Sequence, residues 1–517
     1  MVFSSHIFLF YFLPVTLIIY YAMLKAKVDL SWINLFVTIA SYIFYGWFEP
    51  WFVTLMWIST IIDYGCGRAI AWPEKVSGQE KINYRDILAE FAALNIFYPW
   101  FLVWGWIFSK TIKSSDRRRT VIRNLALVTS MVSNLGLLGF FKYYMFFMSG
   151  VNKLAELLGA GANMFHIMNI TLPIGISFYT FQTMSYTIDV WRGDAPPVKD
   201  MRTFSCFVAL FPQLIAGPIV RYNTVAEQLS YRTHTLDMFT KGVALFMLGF
   251  AKKMLLANPA GEVADLAFGA DSLSAGAAWW GILGYHFQIY FDFCAYSDMA
   301  VGLGRMMGFE FIKNFDSPYQ SKSITEFWRR WHISLSTWIR DNLYISLGGN
   351  RKGVRRTYFN LVLSMFLCGL WHGAKITFVV WGIFHGAFLI AERLMGKKSF
   401  YSNLPPIVSM IITNVLVLLM WVPFRAPDMS QASQYWLSML GMAKTLPTVH
   451  LLHAQMFNPR HIFDMLLCGI LVWQPAQAHL WVERLNPGRL AVATVVFIIA
   501  IVAMFNSTFN PFLYFQF

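Results

Sequence analysis

The stretch NFDSPYQSKSITEFWRRWHISLSTWIRDNLYISLGGNRKGVRR, residues Asn314–Arg356, carries a density of charge that most of the chain lacks. Of the 517 residues, 57% are hydrophobic, 18% aromatic and only 13% charged. A soluble protein carries about 25% charged residues. With half of that, a chain this long has too little polar surface to face water, and its aromatic content is the opposite of a disordered composition. The bilayer is the solvent that suits it. Within such a chain, Thr325–Tyr344 as a lipid-facing span would bury Glu326, Arg329, Arg330, Arg340 and Asp341. At about 2.5–3.5 kcal/mol per central charge, that costs on the order of 10 kcal/mol or more. Ordinary spanning is excluded. Plotted at ~100° per residue, Phe327, Trp328, Trp331, Leu335, Trp338 and Ile339 share an arc of roughly 120°. The pattern predicts an amphipathic helix with a tryptophan-rich face, at an interface or along a cavity wall. Ser323–Glu326 has the form of a capping box that starts it. Gly348-Gly349-Asn350 is expected to end it, before the basic cluster Arg351, Lys352, Arg355 and Arg356.

Outward from this stretch, runs long enough to cross a bilayer are expected near 7–24, 31–48, 50–65, 121–148, 171–190, 239–257, 278–301, 357–373, 376–392, 407–425, 462–475 and 490–509. Two further stretches, 91–108 and 203–220, bring the expected count to about eleven to thirteen. The fold class is all-α and polytopic, read as one domain over 1–517. The first run has no basic leader and no small-residue cleavage site, so it reads as a retained span. Lys25 and Lys27 follow it and place the first loop in the cytoplasm. The net charge of +14 then reads as cytoplasmic loop charge, with an anionic substrate as a second use, and nucleic-acid binding is not expected. Phe91–Phe108 is basic on both flanks and interrupted by Asn95, Pro99 and Gly105, which predicts entry into the membrane without crossing. Thr203–Val220, broken by Pro212, Gly217 and Pro218, reads equally as a cavity-lining segment or a kinked span.

The five cysteines are scattered and read as small buried hydrophobes, and no clustered ligands suggest a metal. No HExxH, GxSxG, Walker A or dinucleotide motif is present. What remains is His372, in LCGLWHGA near the end of an apolar run. An intramembrane histidine is a functional candidate by default, and a neutral imidazole can take a proton, as a general base must. His385 lies ~220° further round a continuous helix. The two share one lumen only if the helix breaks, at Gly373 or Gly382.

The strings EFWRRWHISLSTWIRDNLYISLGGNR (Glu326–Arg351) and GLWHGAKITFVVWGIFHG (Gly369–Gly386) resemble the bacterial branch of the membrane-bound O-acyltransferase family, nearest to its alginate-acetylating members. TLPIGISFYTFQTMSYTIDVWRGD (Thr171–Asp194), FPQLIAGPIVRY (Phe211–Tyr222), YFDFCAYSDMAVGLGRMMGF (Tyr290–Phe309) and WVPFRAPD (Trp421–Asp428) extend the likeness, which is densest over 171–395. Residues 73–120 stand out as an insertion, and Cys294-Ala295 stands where Ser-Gly is usual. The resemblance implies a ring of helices around a central funnel, with His372 and His332 as the catalytic pair. It implies acetyl transfer from a cytoplasmic donor, acetyl-CoA, to an exopolysaccharide such as alginate. A periplasmic partner acetyltransferase, a polysaccharide biosynthesis complex and a bacterial inner-membrane location are expected with it. On this reading Trp328, Trp331 and Trp371 wall the tunnel. Lys313, Lys322, Arg351, Lys352, Arg355 and Arg356 attract the donor phosphates, and neither a bound cofactor nor a metal is required. The alternatives are another acceptor, such as peptidoglycan or cellulose, or a non-enzymatic channel or scaffold of a secretion complex.

Overall fold

A computed structural model describes all residues except 84, 86, 87, 91–96, 160, 162, 163, 397, 398, 447, 448, 475, 476, 508, 509 and 514–517. The described elements are helices. Six of them are long and apolar enough to cross a membrane: Phe8–Lys25, Ser115–Leu157, Leu236–Phe268, Ile376–Leu394, Pro406–Arg425 and Pro487–Asn506. The other expected spans coincide with helices that are shorter or more polar, such as Leu30–Gly46, Ile176–Arg192, Ala275–Met306 and Val354–His372. Their side chains follow the solvent. The window of the Pro487–Asn506 helix is only 11% buried inside the protein, although its mean hydropathy is 2.4, as a lipid-facing helix requires. All five cysteines are free and buried.

The chain divides into two compact units, Met1–Phe239 with Gly304–Phe311, and Thr240–Leu303 with Ile312–Phe517. In the first, the helices Phe52–Ala71, Ser115–Leu157 and Ile176–Arg192 are joined by a buried polar network. Asp63 accepts hydrogen bonds from Ser130 at 2.5 Å and Asn134 at 2.7 Å, and Asn134 accepts from Ser59 and Thr183. Such polar side chains, bonded across helices, hold helices together in hydrocarbon. The 203–220 stretch is helical at Met201–Ala209 and Phe211–Leu214 and irregular beyond. It is enclosed by protein, with Phe211 N–H donating to Ser41 Oγ at 3.0 Å. Burial in protein is one of the two settings that tolerate broken backbone at membrane depth.

In the 91–108 stretch, the expected interruptions at Pro99 and Gly105 are not seen. Residues 91–96, and with them Asn95, lie outside the described residues. Pro99 does not interrupt a helix. It opens one, Tyr98–Thr111, at a position where proline is well tolerated. Gly105 lies inside that helix, because a Cβ there would come within 2.0 Å of the Val76 carbonyl oxygen. The glycine permits contact with the turn Glu74–Ser77. Arg118 seals this corner, donating to the carbonyls of Ser77 at 2.8 Å and Ile112 at 2.5 Å. At 14 residues the helix is about 21 Å long, shorter than the ~30 Å hydrocarbon core.

Candidate active site

The site lies in the second unit. The predicted helix begins where expected. Ser323 Oγ accepts from the Glu326 N–H at 3.0 Å, while the Glu326 carboxylate reaches back to the Lys322 N–H at 2.9 Å, one residue beyond the N-cap N–H of the usual box. The helix does not run to Tyr344. It stops at Arg330, and Ile333–Ile339 is a separate helix followed by a wide turn at Arg340–Tyr344. His332 stands between them with φ +43° and ψ 57°. Left-handed backbone costs a non-glycine residue about 1–2 kcal/mol, so something must hold it. Asn314 does. Its carbonyl accepts the Ile333 N–H at 2.9 Å. Its Oδ1 accepts from Ser334 N–H at 3.1 Å and Ser334 Oγ–H at 2.9 Å, and lies 3.1 Å from His332 Nδ1. A backbone N–H can only donate, so Oδ1 is correctly an oxygen, and His332 must carry its proton on Nδ1. Nε2 then holds a lone pair, buried and without a hydrogen-bond partner. Burial, and then the nearby His372, push the His332 pKa well below its ordinary value. The ring stays neutral.

His372 is the last residue of the helix Val354–His372, and the next helix starts at Ile376. The apolar run therefore breaks at Gly373–Lys375, not at Gly382. The two helices pack backbone to backbone: a Cβ on Gly369 would lie 2.2 Å from the Phe378 oxygen, and one on Gly382 2.4 Å from the Met365 oxygen. This close approach sets the Trp381 ring 5.3 Å from the His372 ring and at 87° to it. Phe424 closes another side at 5.1 Å. Together with Ile289, Asp292, Phe293, Trp331, Trp421 and Leu513 they line a cavity of about 20 Å³, room for a water molecule or so.

His332 stands beside this cavity. Its ring is 6.1 Å from Trp371 and 4.6 Å from Phe293, while Trp371 is 5.0 Å from His372. The two histidines thus approach the same aromatic cluster from two segments forty residues apart in sequence. Of the three tryptophans expected as tunnel wall, Trp331 lines the cavity. Trp371 packs near both histidines, and Trp328 packs 5.6 Å from Trp381, donating to His385 Nδ1 at 3.2 Å. His385 also meets Trp381, with its ring 4.8 Å away. Lys313 pairs with Asp316 at 2.9 Å, and Lys322, Arg351, Lys352, Arg355 and Arg356 are exposed. Among the described residues no three His, Cys, Asp or Glu side chains gather as a metal site.

Sequence reasoning missed Trp381, Trp421, Phe424, Asn314 and Asp292. Asp292 pairs with Lys253 at 2.7 Å, both nearly enclosed, and accepts the Leu513 N–H at 2.8 Å. Lys253 also donates to the Pro511 carbonyl. The signal was present: two opposite charges in apolar helices are expensive unless they meet.

The model of the MBOAT, membrane-bound O-acyltransferase, family matches residues 39–424. The chain is 43% identical over 442 residues to "Probable alginate O-acetylase AlgI" of Pseudomonas aeruginosa, covering 85% of this chain and 75% of the relative. It is 37% identical over 552 residues to the protein of the same name from Azotobacter vinelandii, covering both in full. A "Peptidoglycan O-acetyltransferase" of Helicobacter pylori is 34% identical over 389 residues, 68% of this chain and 72% of the relative. The polytopic helices, the cavity with its histidine and these matches agree, and the chain belongs to the membrane-bound O-acyltransferase family as a multi-pass O-acyltransferase.

Proposed function

We propose that the protein transfers acetyl from a cytoplasmic thioester, acetyl-CoA, through the inner membrane for O-acetylation of an exopolysaccharide, alginate first among the candidates. The observation that carries this reading is His372 in the wall of a small, aromatic-lined cavity, with His332 at its edge. In the step we envisage, the acceptor oxygen attacks the thioester carbonyl carbon while its proton passes to His372. The carbon–sulfur bond then breaks and the leaving thiolate takes up a proton, so that ester and free thiol are the products. His332 can serve in one of two ways, by orienting the acceptor or by donating to the developing oxyanion, and its hydrogen bonds favour the first. With the proton on Nδ1, Nε2 accepts a hydrogen bond from a donor group of the acceptor other than the attacking hydroxyl, whose proton faces His372. Burial holds the His332 ring neutral, and His372, in the wall of the cavity, is the base. The tryptophan walls keep water from the thioester. The exposed cations Arg351, Lys352, Arg355 and Arg356, with Lys313 and Lys322, attract the donor phosphates. The immediate acceptor is a periplasmic partner acetyltransferase within a polysaccharide-modifying complex.

A second reading keeps the chemistry and changes the polymer to peptidoglycan, favoured by the relative of that name at 34% identity. A non-enzymatic channel is set aside by the family membership. The test is His372→Ala in cells making each polymer. Polymer-bound acetyl should vanish while membrane levels of the protein stay normal, and normal acetylation would end the assignment. The polymer that loses acetyl when the whole gene is deleted separates the two acceptors.

A further inference from the structure

Glu392 takes no part in the chemistry described above, yet it is 4% exposed at the end of the helix Ile376–Leu394. One carboxylate oxygen accepts the Ile324 N–H at 2.7 Å and the other the Thr325 N–H at 2.9 Å. These belong to the first turn of the helix Ile324–Arg330, whose initial N–H groups have no partner within the helix. A carboxylate there makes charge-assisted bonds and lies at the positive end of the peptide dipoles. Seven residues earlier, two turns along the same face, His385 Nδ1 accepts the Trp328 indole N–H at 3.2 Å. One helix therefore grips the other at two points. The gripped helix ends at Arg330, and the two residues that follow are Trp331, in the cavity wall, and His332. The gripping helix carries Trp381, which stands against His372 at 5.3 Å.

We propose that Glu392 is a positioning residue that, with His385 as the second point of a clamp, sets the His332 segment in register with His372. The proposal rests on the reading that His332 acts at the reacting atoms. A helix of seven residues is too short to stand alone, so its placement is decided by what holds its ends. Ser323 and Glu392 hold the first, and Asn314 the last through His332 and Ser334. Glu392→Gln conserves shape but puts an amide N–H₂ against one of the two backbone donors. The segment must then shift, and a small misplacement of an active-site group costs large factors in rate.

The experiment measures acetyl transfer by the full-length protein in membranes, with acetyl-CoA as donor, for wild type, E392Q, H332N and the double variant. E392Q should lower kcat about ten- to a hundredfold with the donor KM within about twofold, the pattern of a lost transition-state interaction. In the H332N background the same change should cost at most about twofold, because its effect runs through His332. Full activity of E392Q, a raised KM with unchanged kcat, or an equal loss in both backgrounds would overturn the proposal. If E392Q fails to accumulate, W328F removes the other point of the clamp. It should show a smaller loss of kcat that is also absent in the H332N background, and an equal loss in both backgrounds again overturns the proposal. A fully active H332N would mark failure of the functional reading itself, before Glu392 is considered.

Discussion

Replacing Asn314 tests whether the tautomer and backbone of His332 are set from outside its own segment. Asn314→Ala removes an oxygen that accepts two bonds from Ser334 and faces His332 Nδ1 at 2.9–3.1 Å. A net hydrogen bond is worth about 0.5–1.5 kcal/mol, and a buried donor left without its acceptor costs about 1–3 kcal/mol. The Ser334 bonds affect mainly local stability. The Nδ1 bond bears on function, because without it the ring can exchange tautomers or turn. Loss of that one bond, at roughly 1.4 kcal/mol, corresponds to about a tenfold fall in kcat. Asn314→Asp keeps the acceptor and adds a charge. A carboxylate at Nδ1 favours imidazolium, so the His332 pKa, depressed in the native protein, should rise. Protonation fills Nε2 and removes its lone pair. Transfer by Asn314→Asp should therefore fall as pH is lowered through the raised pKa, more steeply than transfer by the native protein. The assay is donor-dependent acetyl transfer in membranes from pH 5 to 8, normalised to protein level. Native rates and pH profiles in both variants would refute the orienting role of His332 and its control by Asn314.

The other predictions rest on separate features. His332→Ala should lose most of the activity and His332→Asn less, because asparagine tolerates left-handed backbone and its amide can still accept a hydroxyl. Equal inactivity of the two in the transfer assay would make His332 the better candidate for the base. Charge reversal of Arg351, Lys352, Arg355 and Arg356 together should raise the donor KM several-fold and flatten its salt dependence, with kcat little changed; an unchanged KM removes these residues from donor attraction. Single cysteines at Lys81 and Lys113, both exposed, in a background without native cysteines, should resist a membrane-impermeant thiol reagent until cells are opened. Labelling of only one from outside would mean that the intervening stretch crosses the membrane.

Much of this protein is legible without coordinates because the relevant signals are local. Low charge and long apolar runs demand a bilayer and helices whatever the packing. The Ser323 cap depends on a residue three positions away. His372 is conspicuous because an imidazole in hydrocarbon is costly wherever its neighbours lie. The break at His332 was not legible. The wheel over 325–344 is a sound amphipathic pattern, and nothing within it forbids a continuous helix; the left-handed residue is imposed by Asn314, eighteen positions upstream. Likewise Trp381 meets His372 only because Gly369 and Gly382 let two helix backbones touch, and Glu392 finds its donors 68 and 67 positions away. Composition, caps and periodicity act within a few residues and determine which segments are helices and which side chains are expensive to bury. Which expensive groups meet depends on contacts distant in sequence, and those exist only once the helices have packed.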